Sequence, residues 1–179
     1  MISFNTTDIE GVFTIDNFHA EDTRGIFVKT YNAEKFKEAG VKEIFKESYY
    51  SKSFKNVIRG MHFQTPPHDH LKMVYVTEGE IMDVVVDLRR NSSTFGKNIA
   101  VNLKEFGRSV LIPKGCAHGF LTLTNTARVV YVVSSVYNQS ADTGILWNSF
   151  GLDWGISSPI ISERDRSFVQ LSHFDSPFL

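Results

Sequence analysis

Hydrophobic and polar residues alternate along much of this chain, as they do in β-strands that are buried on one side. In the clearest example, Met82, Val84 and Val86 share one face of a strand. The opposite face of the same strand carries Asp83 and Asp87. Comparable β-branched or aromatic runs, separated by Gly, Pro, Asn or Ser clusters, occur at residues 12–18, 25–31, 57–63, 72–77, 79–88, 98–103, 109–112, 119–123 and 127–137. This pattern predicts an all-β domain, either a barrel or a sandwich, built from many short strands.

Helix signals are few. Residues 33–39 form the clearest helical segment, with Asn32 as the predicted N-cap and Gly40 just beyond the C-terminal end. The last third of the chain is less periodic, and a final short helix is predicted near residues 165–171. The helices are therefore expected to be short and to lie at the periphery.

The composition fits one domain that spans residues 1–179, with 42% hydrophobic and 22% charged residues. Nineteen Lys and Arg residues against twenty Asp and Glu give a formal net charge of −1. Neither nucleic acid nor a membrane is therefore an expected partner. A single Cys excludes an internal disulfide, and the first residues lack the features of a secretory leader. A cytoplasmic location is predicted.

Three polar residues interrupt strand-like surroundings: His62, Lys72 and Tyr131. Inward and outward residues alternate on the strands of a barrel, so inward polar side chains would line a polar pocket. Taken singly, each residue is more often structural than catalytic. Tyr137 lies an even number of residues from Tyr131, and on an unbroken strand both would face the same side.

Residues 107–118 resemble the second motif of the cupin superfamily, in which a Gly, a Pro-x-Gly turn and a His follow at fixed intervals. This motif directs His118 inward, where metal cupins use it as a ligand. The first metal motif of those proteins requires His-x-His followed by Glu. Here His68 and His70 are followed by Lys72, whose ammonium would repel a cation. No metal is therefore predicted, and both histidines are assigned to a loop.

Over almost its entire length the chain resembles the dTDP-4-dehydrorhamnose 3,5-epimerase family. The matching blocks occur in order at residues 24–27, 56–64, 83–89, 93–96, 112–120, 144–148 and 162–165. Several blocks at matching intervals are more specific than any single short motif. The resemblance implies a double-stranded β-helix, that is, a cupin-like jelly roll with a few short helices. It also implies a homodimer formed by exchange of an N-terminal strand.

By this resemblance the chain is an epimerase that needs no cofactor and acts on a nucleotide-diphospho-4-keto-6-deoxyhexose. The hydrogens at C3 and C5 flank the C4 ketone, so removing either one leaves an enolate. The resemblance makes His62 the base, oriented by Asp165. It makes Lys72 the group that stabilises charge on the C4 oxygen, and Tyr131 the acid that returns a proton on the opposite face.

The resemblance also assigns substrate-binding residues. Arg24 and Arg59 match positions that engage the diphosphate, which suits the planar fork of a guanidinium. Structural salt bridges are the alternative for both. His118 matches a residue that contacts the sugar, and Tyr137 matches one that contacts the nucleotide.

The tertiary structure is needed to test the predictions for three further residues, Gly60, Asp83 and Cys116. On a regular strand Arg59 and His62 would face opposite sides, so a bulge or twist is predicted at Gly60. Asp83 is either a partner of a site residue or a structural acceptor. Cys116 has no basic neighbour to activate it and is expected to be buried and inert.

Three residues differ from the family pattern at positions that are associated with recognition of the thymine base. Family members commonly have Glu, Gln and Asn at the positions of Lys29, Glu47 and Tyr49. A changed set of donors and acceptors indicates altered base preference, with the amino group of cytosine or guanine meeting Glu47. The alternative is a rearranged thymidine site.

Other functions use the same scaffold. An epimerase acting at only one carbon needs the same base and acid, and a sugar-nucleotide 3,4-ketoisomerase needs related proton transfers. A noncatalytic sugar-nucleotide binder and a metal-dependent cupin are alternatives from other classes. The presence of both an acid and a base argues against simple binding.

Overall fold

The structure is a computed structural model that describes residues 1–179. It is dominated by β-strands, with two short α-helices and one 3₁₀ turn at Leu171–His173. The helices are α1 (Ala33–Glu38) and α2 (Glu163–Arg166). The strands are β1 (Ser3–Thr6), β2 (Phe13–Asp16), β3 (Phe18–Asp22), β4 (Gly25–Lys29), β5 (Glu47–Phe54), β6 (Ile58–Gln64), β7 (Lys72–Glu78), β8 (Glu80–Asp87), β9 (Asn98–Lys104), β10 (Ser109–Ile112), β11 (Cys116–Thr122), β12 (Thr126–Val133) and β13 (Asp142–Gly144).

Two antiparallel sheets make up the body of the molecule. The first has the strand order β1-β2-β10-β7-β12-β5, and the second has the order β13-β6-β11-β8-β9. Strands that are distant in sequence lie side by side, as in a double-stranded β-helix. The hairpin β3–β4 forms a separate two-stranded sheet that pairs with neither of the others. No helix in the chain combines the length and apolar character required to cross a membrane.

Three hydrophobic clusters hold these layers together. The largest lies between the two sheets and includes Val74, Val129 and Phe120. A second covers the outer face of the second sheet with the C-terminal segment, which contributes Trp154. A third packs Phe36 of α1 against the outer face of the first sheet. The polar cavity described below therefore lies within a well-packed frame.

The predicted fold class, an all-β jelly roll with short peripheral helices, is confirmed. The apolar runs correspond to strands, and Val84 and Val86 pack on the opposite face of β8 from Asp83, as predicted. Asn32 caps α1 through its side-chain oxygen, which accepts a hydrogen bond from the backbone N–H of Lys35 at 3.0 Å. Local signals were sufficient for these elements because each strand buries one apolar face.

Other boundaries were wrong. Strands β1, β3, β5 and β13 were not predicted, because none of them shows a regular alternation of buried apolar residues. The predicted strand 127–137 ends at Val133, which leaves Tyr137 in a loop. The final α-helix, α2, begins two residues before the predicted range 165–171 and ends within it at Arg166, since Ser162 caps it by accepting a hydrogen bond from the Asp165 N–H.

Candidate active site

A cavity of about 260 Å³ lies between the two sheets. Strands β5, β7 and β12 of the first sheet line it, together with β6 and β11 of the second. The predicted site residues that line this cavity are Glu47, Tyr49, Arg59, His62, Lys72, His118, Tyr131 and Tyr137. The closing of the two sheets thus brings together residues that are far apart in sequence.

His62 and Asp165 form a hydrogen-bonded pair, with Nε2 of the imidazole 2.8 Å from Oδ1 of the carboxylate. The backbone N–H of Gly60 donates to the other carboxylate oxygen at 3.0 Å. Burial alone would raise the pKa of Asp165, but the hydrogen bonds from His62 and Gly60 bring that pKa below its usual value. An ionised carboxylate only accepts, so Nε2 of His62 carries the proton and Nδ1 keeps a free lone pair.

A β-bulge turns His62 towards the cavity. His118 of β11 lies opposite His62, whereas Phe120 lies opposite Arg59, so β6 has one extra residue between these two pairs. Gly60 occupies this interval with a φ of +139°, which a residue with a side chain rarely adopts. The bulge predicted at Gly60 is therefore present, and it allows both Arg59 and His62 to line the cavity.

Tyr131 enters the same cavity from β12. Its phenolic oxygen lies 3.2 Å from Oγ of Ser51, and its ring stacks on that of Tyr49 with the centroids 4.8 Å apart. Burial raises the pKa of Tyr131 well above its ordinary value. The phenol is therefore protonated near neutral pH and has a proton to donate.

Lys72 is buried at the start of β7, and its ammonium makes no hydrogen bond or ion pair in the structure. Burial lowers the pKa of Lys72 to about 8, although the nearby carboxylates of Asp83 and Asp142 oppose this shift. The side chain is still mainly cationic at pH 7. It is thus an available positive charge in a largely enclosed site, where such a charge acts strongly.

His118 and Asp83 form a second imidazole–carboxylate pair, with Nε2 and Oδ2 2.7 Å apart. Both residues are buried, and burial lowers the pKa of His118 despite the opposing effect of Asp83. His118 is therefore neutral near pH 7. Of the two roles considered for Asp83, partner of a site residue is the one observed.

Two further contacts fix the rim of the cavity. The Nε–H of Arg59 donates to Oγ of Ser53 at 2.9 Å, which leaves the rest of the guanidinium for a ligand. Oε2 of Glu47 accepts a hydrogen bond from the backbone N–H of Tyr137 at 2.8 Å. Tyr137 lines the cavity through this loop contact and not by continuing β12, as the sequence had suggested.

Arg24 and Lys29 lie outside the cavity of their own chain. They belong to the hairpin β3–β4, which pairs with neither main sheet. Arg24 is highly exposed and forms an ion pair with Asp22. A single chain therefore does not bring either residue to its own cavity, and the call that both bind substrate stays a prediction.

Several cavity residues were missed by the sequence reasoning. His70 lies in the loop predicted for it, but it also lines the cavity, and burial lowers its pKa to about 3. Gln64, Ser135, Asp142 and Arg164 line it as well, and an ion pair of 2.7 Å joins Arg164 to Asp142. The inward phase of β6 could have identified Gln64. The others lie in loops (His70 and Ser135) or in the very short elements β13 (Asp142) and α2 (Arg164), which have no periodic signal.

No group of three or more His, Cys, Asp or Glu side chains is arranged to hold a metal ion. His68 lies in the loop between β6 and β7, with its Nε2 3.2 Å from Nδ2 of Asn138. Burial raises the pKa of Cys116 to about 12, so its thiol stays protonated. This agrees with the prediction that Cys116 is inert.

Known proteins are similar to this chain in sequence over most of its length. The family model described as dTDP-4-dehydrorhamnose 3,5-epimerase matches residues 6–173. A dTDP-4-dehydrorhamnose 3,5-epimerase from Shigella flexneri is 38% identical over 175 residues, which cover 94% of this chain and 97% of that protein. A dTDP-4-dehydrorhamnose 3-epimerase from Streptomyces niveus is 32% identical over 168 residues, which cover 92% of this chain and 81% of that protein.

The fold is also similar to solved structures. The crystal structure of a dTDP-6-deoxy-D-glucose-3,5-epimerase from Legionella pneumophila, in complex with dTDP-4-keto-L-rhamnose, aligns with a TM-score of 0.95. The two are 30% identical, and the alignment covers 100% of this chain and 99% of that chain. With the family model matched almost from end to end, the chain belongs to the dTDP-4-dehydrorhamnose 3,5-epimerase family.

Proposed function

We propose that the chain inverts C3 and C5 of a dTDP-linked 4-keto-6-deoxyhexose, with His62 as the base and Tyr131 as the acid. One observation carries the proposal: the His62–Asp165 pair, the phenol of Tyr131 and the unpaired ammonium of Lys72 all meet at one cavity. This set comprises a proton acceptor, a proton donor and a positive charge for an oxyanion. Family membership supports the same chemistry.

In this mechanism Nδ1 of His62 removes the hydrogen from the carbon beside the C4 ketone. The electron pair of that C–H bond moves into the ring as an enolate, and the charge collects on the C4 oxygen. The ammonium of Lys72 stabilises this charge. Tyr131 then donates its proton to the opposite face of the carbon, which inverts the configuration. Proton exchange with water returns His62 and Tyr131 to their starting states.

The substrate is held by groups at the rim of the cavity. Arg59 retains free guanidinium N–H groups for a diphosphate, because only its Nε is engaged within the protein. Nδ1 of neutral His118 accepts a hydrogen bond from a sugar hydroxyl. Tyr137, Glu47 and Tyr49 form the part of the wall available to the base. Glu47 already accepts from a backbone N–H, so it does not require an amino group on the base.

The active form is a homodimer in which the hairpin β3–β4 of one chain reaches the cavity of its partner. The hairpin exposes Phe18, Ile26 and Phe27, which a dimer contact would bury. Strand β5 lines the cavity and is the last strand of its sheet, so one edge of it is unpaired. Packing there would bring Arg24 and Lys29 to the substrate, as the family resemblance implies.

The test is proton exchange in heavy water, followed by NMR, with dTDP-, CDP- and GDP-linked 4-keto-6-deoxyhexoses. Deuterium is expected to enter at both C3 and C5 of the dTDP sugar with inversion. His62→Asn should abolish exchange, and Tyr131→Phe should block inversion. His173→Asn and Tyr50→Phe, which alter exposed residues outside the cavity, are the matched controls. No exchange with any of the three sugars would refute the proposal, and faster turnover of the CDP or GDP sugar would establish the altered base preference.

A second candidate is epimerisation at one carbon only. The Streptomyces niveus relative, named as a 3-epimerase, favours this alternative. The same base and acid perform it if the sugar ring does not turn over within the cavity. Deuterium at C3 with none at C5 would establish it in place of the double epimerisation.

A further inference from the structure

Strand β5 presents an inward row of polar residues at every second position. Ser53 holds Arg59, Ser51 contacts the phenol of Tyr131, Tyr49 stacks on the ring of Tyr131, and Glu47 holds the following loop. The alternate positions, including Ser48 and Tyr50, are exposed. Each residue in the inward row of β5 therefore contacts another residue of the site.

In the hydrogen bond between Ser51 and Tyr131, Ser51 is the donor and the phenolic oxygen is the acceptor during the reaction. Tyr131 has one O–H, and it must point at the substrate carbon if the proton is to be donated there. Ser51 makes no other side-chain hydrogen bond, so its own O–H is free to donate to the phenolic oxygen over the 3.2 Å between them. That hydrogen bond becomes stronger as the phenol becomes a phenolate, because the acceptor gains charge. Burial raises the pKa of Tyr131, and the contact with Ser51 opposes this effect.

Tyr49 fixes the plane of the same ring. It lies directly opposite Tyr131 in the register of β5 and β12. The two rings are nearly parallel, with an interplanar angle of 20° and centroids 4.8 Å apart. Stacking of this kind opposes rotation and tilting of the buried ring.

We propose that Ser51 and Tyr49 are positioning residues for Tyr131: Ser51 directs and stabilises the phenol as it loses its proton, and Tyr49 holds the ring against the cavity wall. This inference rests on the proposed function, since it concerns the acid of the same reaction. Neither residue exchanges a proton with the substrate.

The inference predicts different effects on two measurable rates, the rate of deuterium exchange and the rate of inversion. A base that removes a proton, exchanges it with heavy water and then delivers a deuteron to the same face introduces deuterium without inversion. Inversion also requires delivery by Tyr131 from the other face. Impaired positioning of Tyr131 therefore lowers the ratio of inversion to exchange, whereas general damage to the site lowers both rates together.

The experiment measures this ratio in heavy water by NMR for the full-length chain. Ser51→Ala is expected to lower it about tenfold, the scale of a hydrogen bond to a charged group. Tyr49→Leu removes the stack and is expected to lower it about threefold. Ser48→Ala and Tyr50→Phe, on the opposite face of β5, should leave it unchanged. Ser51→Ala added to Tyr131→Phe should have no further effect, because Ser51 acts through the phenol.

Two results would overturn the inference. One is an equal loss of exchange and inversion in Ser51→Ala and Tyr49→Leu. The other is an additional loss when Ser51→Ala is combined with Tyr131→Phe. Failure of the proposed function would look different, because the wild-type chain itself would then show neither exchange nor inversion.

Discussion

His62 and His118 each hydrogen-bond a carboxylate, yet their surroundings suit them to different tasks. The side chain of His62 is 29% exposed, whereas that of His118 is 4% exposed. Burial lowers the pKa of His118 and holds that residue in its neutral form, whereas His62 is less buried and hydrogen-bonds Asp165. In the proposed mechanism, the first pair thus provides a base and the second a neutral hydrogen-bonding group.

Asp165→Asn tests the carboxylate behind His62. An amide at this position can donate to Nε2, and the imidazole would then carry its proton on Nδ1, where it cannot act as the base. The deuterium exchange rate is expected to fall about a hundredfold, the scale of a lost general base. Asp175→Asn, at a fully exposed position, serves as the control. An unchanged exchange rate would remove Asp165 from the mechanism.

The pKa of Lys72 predicts how the reaction rate changes at alkaline pH. Burial lowers its pKa to about 8, so the ammonium is present below that pH and is lost as the pH rises through it. The reaction rate is therefore expected to fall above about pH 8, since the enolate loses its positive partner. Lys72→Arg keeps its charge at high pH and should shift this fall to higher pH. A wild-type rate that stays constant up to pH 10 would contradict the assignment.

Among the elements, β5 shows why a strand can escape a search for apolar alternation. Its inward face meets a polar cavity and its outward face meets solvent, so both faces carry polar residues. Strand β8, by contrast, buries Val84 and Val86 on one face and was found without difficulty. The element that was hardest to predict is therefore the one most closely involved with the site.

The bulge in β6 makes a prediction at Gly119. A Cβ at this position would lie 2.6 Å from the sulfur of Met61, 2.7 Å from the carbonyl oxygen of Arg59 and 3.0 Å from Cα of Gly60. Gly119→Ala is therefore expected to destabilise the fold by about 1–3 kcal/mol, as overpacked sites do. Chemical denaturation measures this loss. Activity should also fall, because the bulge is what brings Arg59 and His62 to one cavity. An unchanged free energy of unfolding would contradict the close packing of β6 against β11 at this position.

For the whole molecule, the unpaired hairpin predicts complementation between inactive chains. In a mixed dimer of Arg24→Ala and His62→Asn chains, the Arg24→Ala chain supplies an intact cavity and its partner supplies an intact hairpin. Equal mixing with random pairing should restore about a quarter of the wild-type activity, since half of the dimers each contain one complete site. Turnover of co-expressed chains measures this recovery.

The control is a mixture of His62→Asn and Tyr131→Phe chains. These two residues line the cavity of the same chain, so no mixed dimer contains a complete site. This mixture should stay inactive. If the Arg24→Ala and His62→Asn mixture is equally inactive, or if the wild-type chain is monomeric while active, the hairpin does not complete the site of a partner.

The strands that bury an apolar face follow from the sequence pattern alone, and the family resemblance of the sequence supplied the jelly-roll class and the candidate residues His62, Lys72, Tyr131 and Asp165. Periodicity and spaced motifs are local properties, and each can be read within a few residues. Only the tertiary structure decided that His62 and Asp165 are 2.8 Å apart, that β5 supports Tyr131, and that Arg24 lies outside its own cavity. The physical reason is that polar contacts join residues up to 105 positions apart, and their partners are set by how the two sheets close and not by any local pattern.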